Sequence, residues 1–378
     1  MKYSIFGATI ALAMVSSLAN AQNSVTLYGL LDTGFTYVSN VGGKSLAALA
    51  DGVNLSNRWG MLGNEDLGGG NRALFVLENG FSLNTGALQQ GGRMFGRQAY
   101  VGLSNELGTV TLGNQYDFMF DYLTQFSAGG YASGYGLHIG DFDREAGARL
   151  QNAVKLKSAS WGGWQVGAMY SFGNVSGSLK ADSAWSAGVK YDGGPFSMAG
   201  VYTRINNPHD TAALDPYSQA GVLTFLCQTV AKSEPATGTV TDLYPYGTPF
   251  SVDSQSIAGI GASYRLANLT LTGNVTATTF KGYGTSETLW VYEGGATYLI
   301  TPAMVAIASY AYQKMGSSHW NQPTIGMYYY LSKRTSLYAN ASFQAATNAY
   351  ATQGEGYFFS PSSSRYQTTA RIAITHKF

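Results

Sequence analysis

Charge is scarce in this sequence. Asp, Glu, Lys and Arg make up 11% of its 378 residues, where about 25% is usual in a soluble domain. Neither sign is in excess, with 22 Lys and Arg against 21 Asp and Glu. That balance argues against a nucleic-acid partner, whose phosphates select a basic surface. A single cysteine, Cys227, excludes an intramolecular disulfide. His138, His209, His319 and His376 are scattered without the close spacing of a zinc site, so no metal is expected. Gly259-Ile-Gly261 opens no helix and no nucleophile–base pair stands out by spacing, so neither a cofactor nor a catalytic centre is expected. Long apolar runs are missing as well. Nothing in the chain is apolar enough over enough residues to cross a bilayer as a helix.

What is present points outward from the cell interior. Lys2, the apolar run Ile5 to Val15 and the small-x-small sequence Ala19-Asn-Ala21 form an export signal over residues 1–21. The mature domain is expected to span 22–378, and loss of Lys2 leaves it formally neutral. Tyrosine (27), phenylalanine (18) and glycine (48) are abundant. Few charges, many Tyr and Gly and no helical span suit a β-barrel in an outer membrane. A secreted soluble all-β protein is the alternative, although it would normally carry more charge.

The last fourteen residues, Arg365 to Phe378, show the pattern most clearly. With a period of two, one face is Tyr366, Thr368, Ala370, Ile372, Ile374, His376 and Phe378. The other is Arg365, Gln367, Thr369, Arg371, Ala373, Thr375 and Lys377. Such a strand fits a wall between lipid and water. Seven short turn signals, from Asp66-Leu-Gly-Gly-Gly70 to Ser332-Lys-Arg334, alternate with eight longer connections near 39–52, 84–93, 116–149, 173–181, 206–254, 280–286, 315–320 and 347–364. Fifteen connections predict an all-β fold of sixteen antiparallel transmembrane strands, with short periplasmic turns and long extracellular loops. Tyr191, Tyr264, Tyr298, Trp161 and Trp164 sit beside short turns, as amphipathic rings at a membrane–water boundary do.

Sixteen strands enclose a lumen too wide for side chains to fill, so one loop must fold inward to narrow it. The aromatic, Gly-rich connection 116–149 is the candidate, and it carries Asp117, Asp121, Asp141, Asp143 and Glu145. Arg58, Arg93, Arg97 and Arg149 lie at or near strand starts facing it. A basic wall opposite acidic loop residues would set up a transverse field that sorts small ions by charge. The candidate constriction is therefore Arg58, Arg93, Arg97, Arg149, Asp117 and Asp121.

Several segments together resemble the general porin family of Gram-negative bacteria, in its beta-proteobacterial branch. They are Ser24-Val-Thr-Leu-Tyr-Gly29 with Leu31-Asp-Thr33, Gly63-Asn-Glu-Asp-Leu-Gly-Gly-Gly70, Arg97-Gln-Ala-Tyr-Val-Gly-Leu103, Leu107-Gly-Thr-Val-Thr-Leu-Gly113, Arg149-Leu-Gln-Asn-Ala-Val154 and the terminal Phe378. The resemblance implies a homotrimer of water-filled outer-membrane channels, each with its third extracellular loop in the pore. It places Arg58, Arg97 and Arg149 at the positions of the family's basic cluster, which goes with a preference for anions and small organic acids. Passive diffusion of small hydrophilic solutes is the expected function. A substrate-selective porin is the nearer alternative, and an outer-membrane adhesin or surface enzyme the more distant one. Two departures stand out: Lys155-Leu-Lys157 replaces an aromatic near the start of the sixth strand, and the loop lacks the common Pro-Glu-Phe.

Overall fold

The computed structural model describes residues 24–208, 221–229, 252–354 and 358–378; the expected signal peptide over 1–21 and most of the 206–254 connection lie outside the described residues. One antiparallel sheet closes on itself. Its staves are β1 Ser24–Val41, β2 Lys44–Asp51 continuing as Arg58–Gly68, β3 Asn71–Gly80, β4 Gln98–Asn105, β5 Gly108–Tyr116, β6 Arg149–Ser158, β7 Trp164–Ser171 and β8 Ala184–Gly193. The second half is β9 Phe196–Asn206, β10 Ser254–Leu266, β11 Leu269–Gly282, β12 Thr285–Thr301, β13 Met304–Met315, β14 Ser318–Tyr330, β15 Thr335–Thr347 and β16 Tyr366–Lys377. Both parts of β2 lie along β1, with Thr33 opposite Asp51 and Leu30 opposite Arg58, so they make one stave interrupted at 52–57 and the total is sixteen. β16 closes the barrel against β1, from Leu30 opposite Lys377 to Val38 opposite Thr369. Closure leaves no free edge to pair with another chain.

The period-two pattern of β16 divides as its chemistry requires. Gln367, Thr369, Arg371 and Thr375 are buried on the inside, while Tyr366, Ile372 and Ile374 stand exposed outside. Val25, Leu27 and Phe35 of β1 and Val101 and Leu103 of β4 are likewise exposed on the outer face. An apolar belt of this extent is stable in lipid and would drive aggregation in water. Beside the short turns, Trp161, Trp164, Tyr264 and Tyr298 are exposed, and the Trp164 ring packs at a tilt against Tyr191, centroids 4.9 Å apart.

All seven short turns join the strands where expected. Three of the eight longer connections are shorter than expected. The segments near 39–52, 280–286 and 315–320 are strand ends joined by two-residue turns at 42–43, 283–284 and 316–317. Gly42, Gly43, Tyr283, Gly284 and Gly316 supply the positive φ such tight hairpins need. Strand ends that reach past the lipid need no apolar alternation, and so they read as loop. In the 206–254 connection, the described piece forms a small hairpin of Thr224–Phe225 and Gln228–Thr229. Phe225 and Leu226 are buried with Phe142, Phe280 and Trp320. Cys227 is exposed on that hairpin, its Sγ 4.0 Å from the Thr285 hydroxyl.

Candidate pore constriction

Residues 117–148 fold into the barrel as short helical turns, Met119–Leu123, Thr124–Phe126 and Ala128–Ala132, followed by an irregular return leg. The wall makes room by omitting side chains along their path. A Cβ at Gly167 of β7 would lie 2.2 Å from the Phe118 ring, at Gly259 2.4 Å from Leu123 and at Gly261 2.4 Å from Phe126. At Gly295 of β12 it would lie 2.3 Å from the Ala128 Cβ, and at Gly326 of β14 2.4 Å from the Ala132 carbonyl. Phe118, Met119, Leu123 and Phe126 fill this trench and are buried in it. The far end of the loop is fixed by the break in β2. Asn54 accepts from the Gly134 N–H at 3.0 Å and donates to the Tyr328 hydroxyl at 2.6 Å, and the Tyr135 hydroxyl meets Thr36 at 3.1 Å. Beneath Tyr135, Arg371 donates to Asp32, Tyr338 and Thr36, each at 2.9 Å, with the Arg371 and Asp32 side chains wholly buried.

The opposite arc, β2 to β6, keeps its long side chains. Arg97 donates to Glu78 at 2.7 Å and to the Tyr116 hydroxyl at 2.6 Å. Arg149 donates to the same hydroxyl at 2.7 Å and to the Arg97 carbonyl at 3.1 Å, its guanidinium 4.6 Å from the centre of the Tyr116 ring. Arg58 lies 3.8 Å from Glu78, which also accepts from the Tyr28 hydroxyl at 2.9 Å. Three guanidinium groups thus share one carboxylate and one phenol. Arg93 stands half-buried in the connection before β4, its carbonyl accepting from the Gly96 N–H at 3.3 Å.

The loop acids turn mainly toward protein. Asp117 is fully buried, accepting from the Met119 N–H at 3.0 Å and from Arg144 at 2.5 Å, and so staples the two ends of the loop together. Asp121 meets Lys155 of β6 at 2.6 Å, and Lys155 also donates to the Tyr116 carbonyl at 2.8 Å. On the return leg, His138 lies 2.6 Å from Asp143 and 2.8 Å from Glu293 of β12. Burial depresses the His138 imidazole, but Asp143 and Glu293 outweigh it and hold it well above its ordinary value. Burial and the Asp143 charge push Asp141 up to about 7 and raise Glu145 well above the usual carboxylate range. Wall donors hold one oxygen of each of two acids on the wall-facing side of the loop, Thr276 on Asp143 at 2.8 Å and Asn274 on Glu145 at 2.9 Å.

Sequence reasoning picked out the arginines but missed the groups that join them. Glu78 and Glu293 each carried a signal: a lone carboxylate in a strand of apolar and aromatic residues, Leu74-Phe-Val-Leu-Glu78 and Leu289-Trp-Val-Tyr-Glu293. A charge at such a position points into the lumen or needs a partner. Tyr116 bore no signal among so many tyrosines.

A closed sixteen-stave barrel with one loop folded into it is the architecture of a diffusion channel, and the comparisons agree. The family described as Gram-negative porin matches residues 8–349. An outer membrane porin protein of Bordetella pertussis is 30% identical over 390 residues, covering 91% of this chain and 94% of its own length. The chain belongs to the Gram-negative porin family. Outer membrane porin protein 32 of Delftia acidovorans is also 30% identical, covering 98% of this porin and 99% of that one. Among solved structures, an anion-selective porin from Comamonas acidovorans superimposes with a TM-score of 0.76 at 24% identity, over 94% of this chain and all of that one. OmpT of Vibrio cholerae, solved in a trimer form, gives 0.65 at 14% identity over 94% of this chain and 99% of that one. This porin is an outer-membrane channel for passive diffusion, not an enzyme: the wall exchanges lipid for water and no chemical step is required.

Proposed function

We propose that the channel prefers small anions and that Arg58, Arg97 and Arg149 form its selective face. The observation that carries this is the shared coordination of the cluster. Three permanent positive charges converge on a single carboxylate, Glu78, and on the neutral Tyr116 hydroxyl. The surplus positive charge borders the passage opposite the docked loop, where it raises the local concentration of anions. Lys155 and Lys157 extend the basic strip along β6, with Asp121 as the loop's counter-charge. Asp117 supports the passage from behind by holding the loop stem. The Comamonas structure, described as anion-selective, is consistent with this reading.

The mature chain, on this reading, spans 22–378 after removal of residues 1–21 and assembles as a homotrimer in outer-membrane lipid. The Vibrio OmpT trimer form supports that assembly, and native mass measurement in detergent tests it. Selectivity is tested by recording single channels in a planar bilayer across a potassium chloride gradient. The reversal potential should carry the sign of chloride preference; a null or potassium-selective potential would refute the assignment.

A further inference from the structure

We propose that His138 is the positioning residue that locks the constriction loop onto the wall, as a charged imidazolium clamped between Asp143 of the loop and Glu293 of β12, and that the passage widens when the ring loses a proton. The hydrogen bonds alone fix its charge. Nδ1 lies 2.6 Å from Asp143 Oδ2 and Nε2 lies 2.8 Å from Glu293 Oε2. An ionised carboxylate only accepts, and a neutral imidazole has one N–H to give. A neutral ring would turn its lone pair on one of the two carboxylates, so the arrangement requires both nitrogens to be protonated.

The place of this clamp makes it a lock. Glu293 also accepts from the Ser127 hydroxyl at 2.9 Å and from the Gly129 N–H. One wall carboxylate therefore holds the outgoing leg of the loop directly and the return leg through His138. Glu145 stands at 4.0 Å from Nδ1, and among the described residues the ion pairs of Asp143, Glu145 and Glu293 are all with His138. Arg144, the other cation of the return leg, is paired with Asp117 and bears on Asp141. The neighbouring strands contribute neutral groups: Thr276 and Asn274 of β11 donate to Asp143 and Glu145, and Gln313 of β13 accepts from the Ile139 N–H at 2.8 Å. Discharging His138 thus leaves buried carboxylates without a counter-charge, which is costly. Lifting the loop into water relieves it.

Burial opposes the charged ring, but Asp143 and Glu293 hold it well above the ordinary 6.5. The stabilisation of the docked loop is therefore complete below that value and is lost as pH rises through the raised one. Asp141, pushed up to about 7 by burial and by Asp143, and Glu145, raised well above the carboxylate range by the same causes, act in the same direction. Ionising either one adds negative charge to the cluster.

Single-channel recording of the refolded chain between about pH 6 and about pH 10 reads the lock as a step. Conductance and open-channel noise should rise together through a midpoint well above 6.5. His138→Gln should be wide and noisy throughout and lose the step, and the lysine titrations common to both channels cancel in that comparison. Asp143→Asn should move the midpoint down by about one to three pH units, while His319→Gln should behave as the parent. A parent without an alkaline step, the same step in His138→Gln, or an unmoved midpoint in Asp143→Asn overturns the proposal. If the variants do not refold, nitrogen NMR of labelled histidine in the unaltered chain decides. One ring that stays doubly protonated up to the conductance midpoint upholds it, and loss of the proton from every ring well below that midpoint overturns it.

Discussion

The two arcs of the lumen wall solve opposite problems. From β7 to β14 the wall gives up side chains, with glycines at 167, 259, 261, 295 and 326 forming a trench for the loop. From β2 to β6 it keeps long polar side chains, Arg58, Glu78, Arg97, Arg149 and Lys155, held by one another and by Tyr116 and Asp121. The difference teaches that an inward loop is encoded twice. Its own aromatics supply apolar surface to bury, and the wall supplies a path only where the loop must lie. Glycine is otherwise unfavourable in strands, so its presence on the inner face of one arc marks close approach.

The comparison can be broken at the seam, in the trench or on the basic arc, in decreasing order of effect. At the seam, Arg371→Leu leaves Asp32 buried and unpaired. It should cost about 3–5 kcal/mol, the usual result of removing one partner of a buried pair. Unfolding of the refolded barrel in denaturant measures it, and adding Asp32→Asn should recover part of the loss. In the trench, Gly326→Ala drives a methyl into the Ala132 carbonyl, 2.4 Å away. Overpacking of that kind costs about 1–3 kcal/mol. Because the strain is relieved by lifting the loop, single-channel current should become larger and noisier.

On the basic arc the effects are smaller and act on selectivity. Arg97→Ala removes one positive charge and releases Glu78 toward the passage. An aqueous interaction of ~1 kcal/mol should lower the anion-to-cation permeability ratio by up to about fivefold. Reversal potentials of the variant and the parent check it. Asp121→Asn frees Lys155 from its 2.6 Å partner and should raise the same ratio slightly. A fall in that ratio would show that Lys155 is not turned toward the permeating ions.

Much of the barrel was legible because lipid and water impose a period of two on every stave. Ile372 and Ile374 outside with Arg371 and Thr375 inside could be read directly. The turns at 42–43, 283–284 and 316–317 were not, since strand ends beyond the lipid lose the alternation. Arg58, Arg97 and Arg149 were legible as isolated charges near strand starts, and the structure brings them together on Glu78 and Tyr116. The orientation of the loop acids was not. An acid on an inward loop can face the water or the wall, and only Thr276 and Asn274, more than a hundred residues further along, decide that Asp143 and Glu145 face the wall.

Gly294 and Gly295 test the trench most directly, because they are adjacent in β12 and point to opposite faces. A Cβ on Gly294 meets nothing within 4 Å, whereas one on Gly295 falls 2.3 Å from Ala128 of the loop. Single-channel conductance of Gly294→Ala and Gly295→Ala should therefore be compared under identical conditions. The account predicts an unchanged channel for the first and a wider, noisier one for the second. Equal behaviour of the two would contradict it.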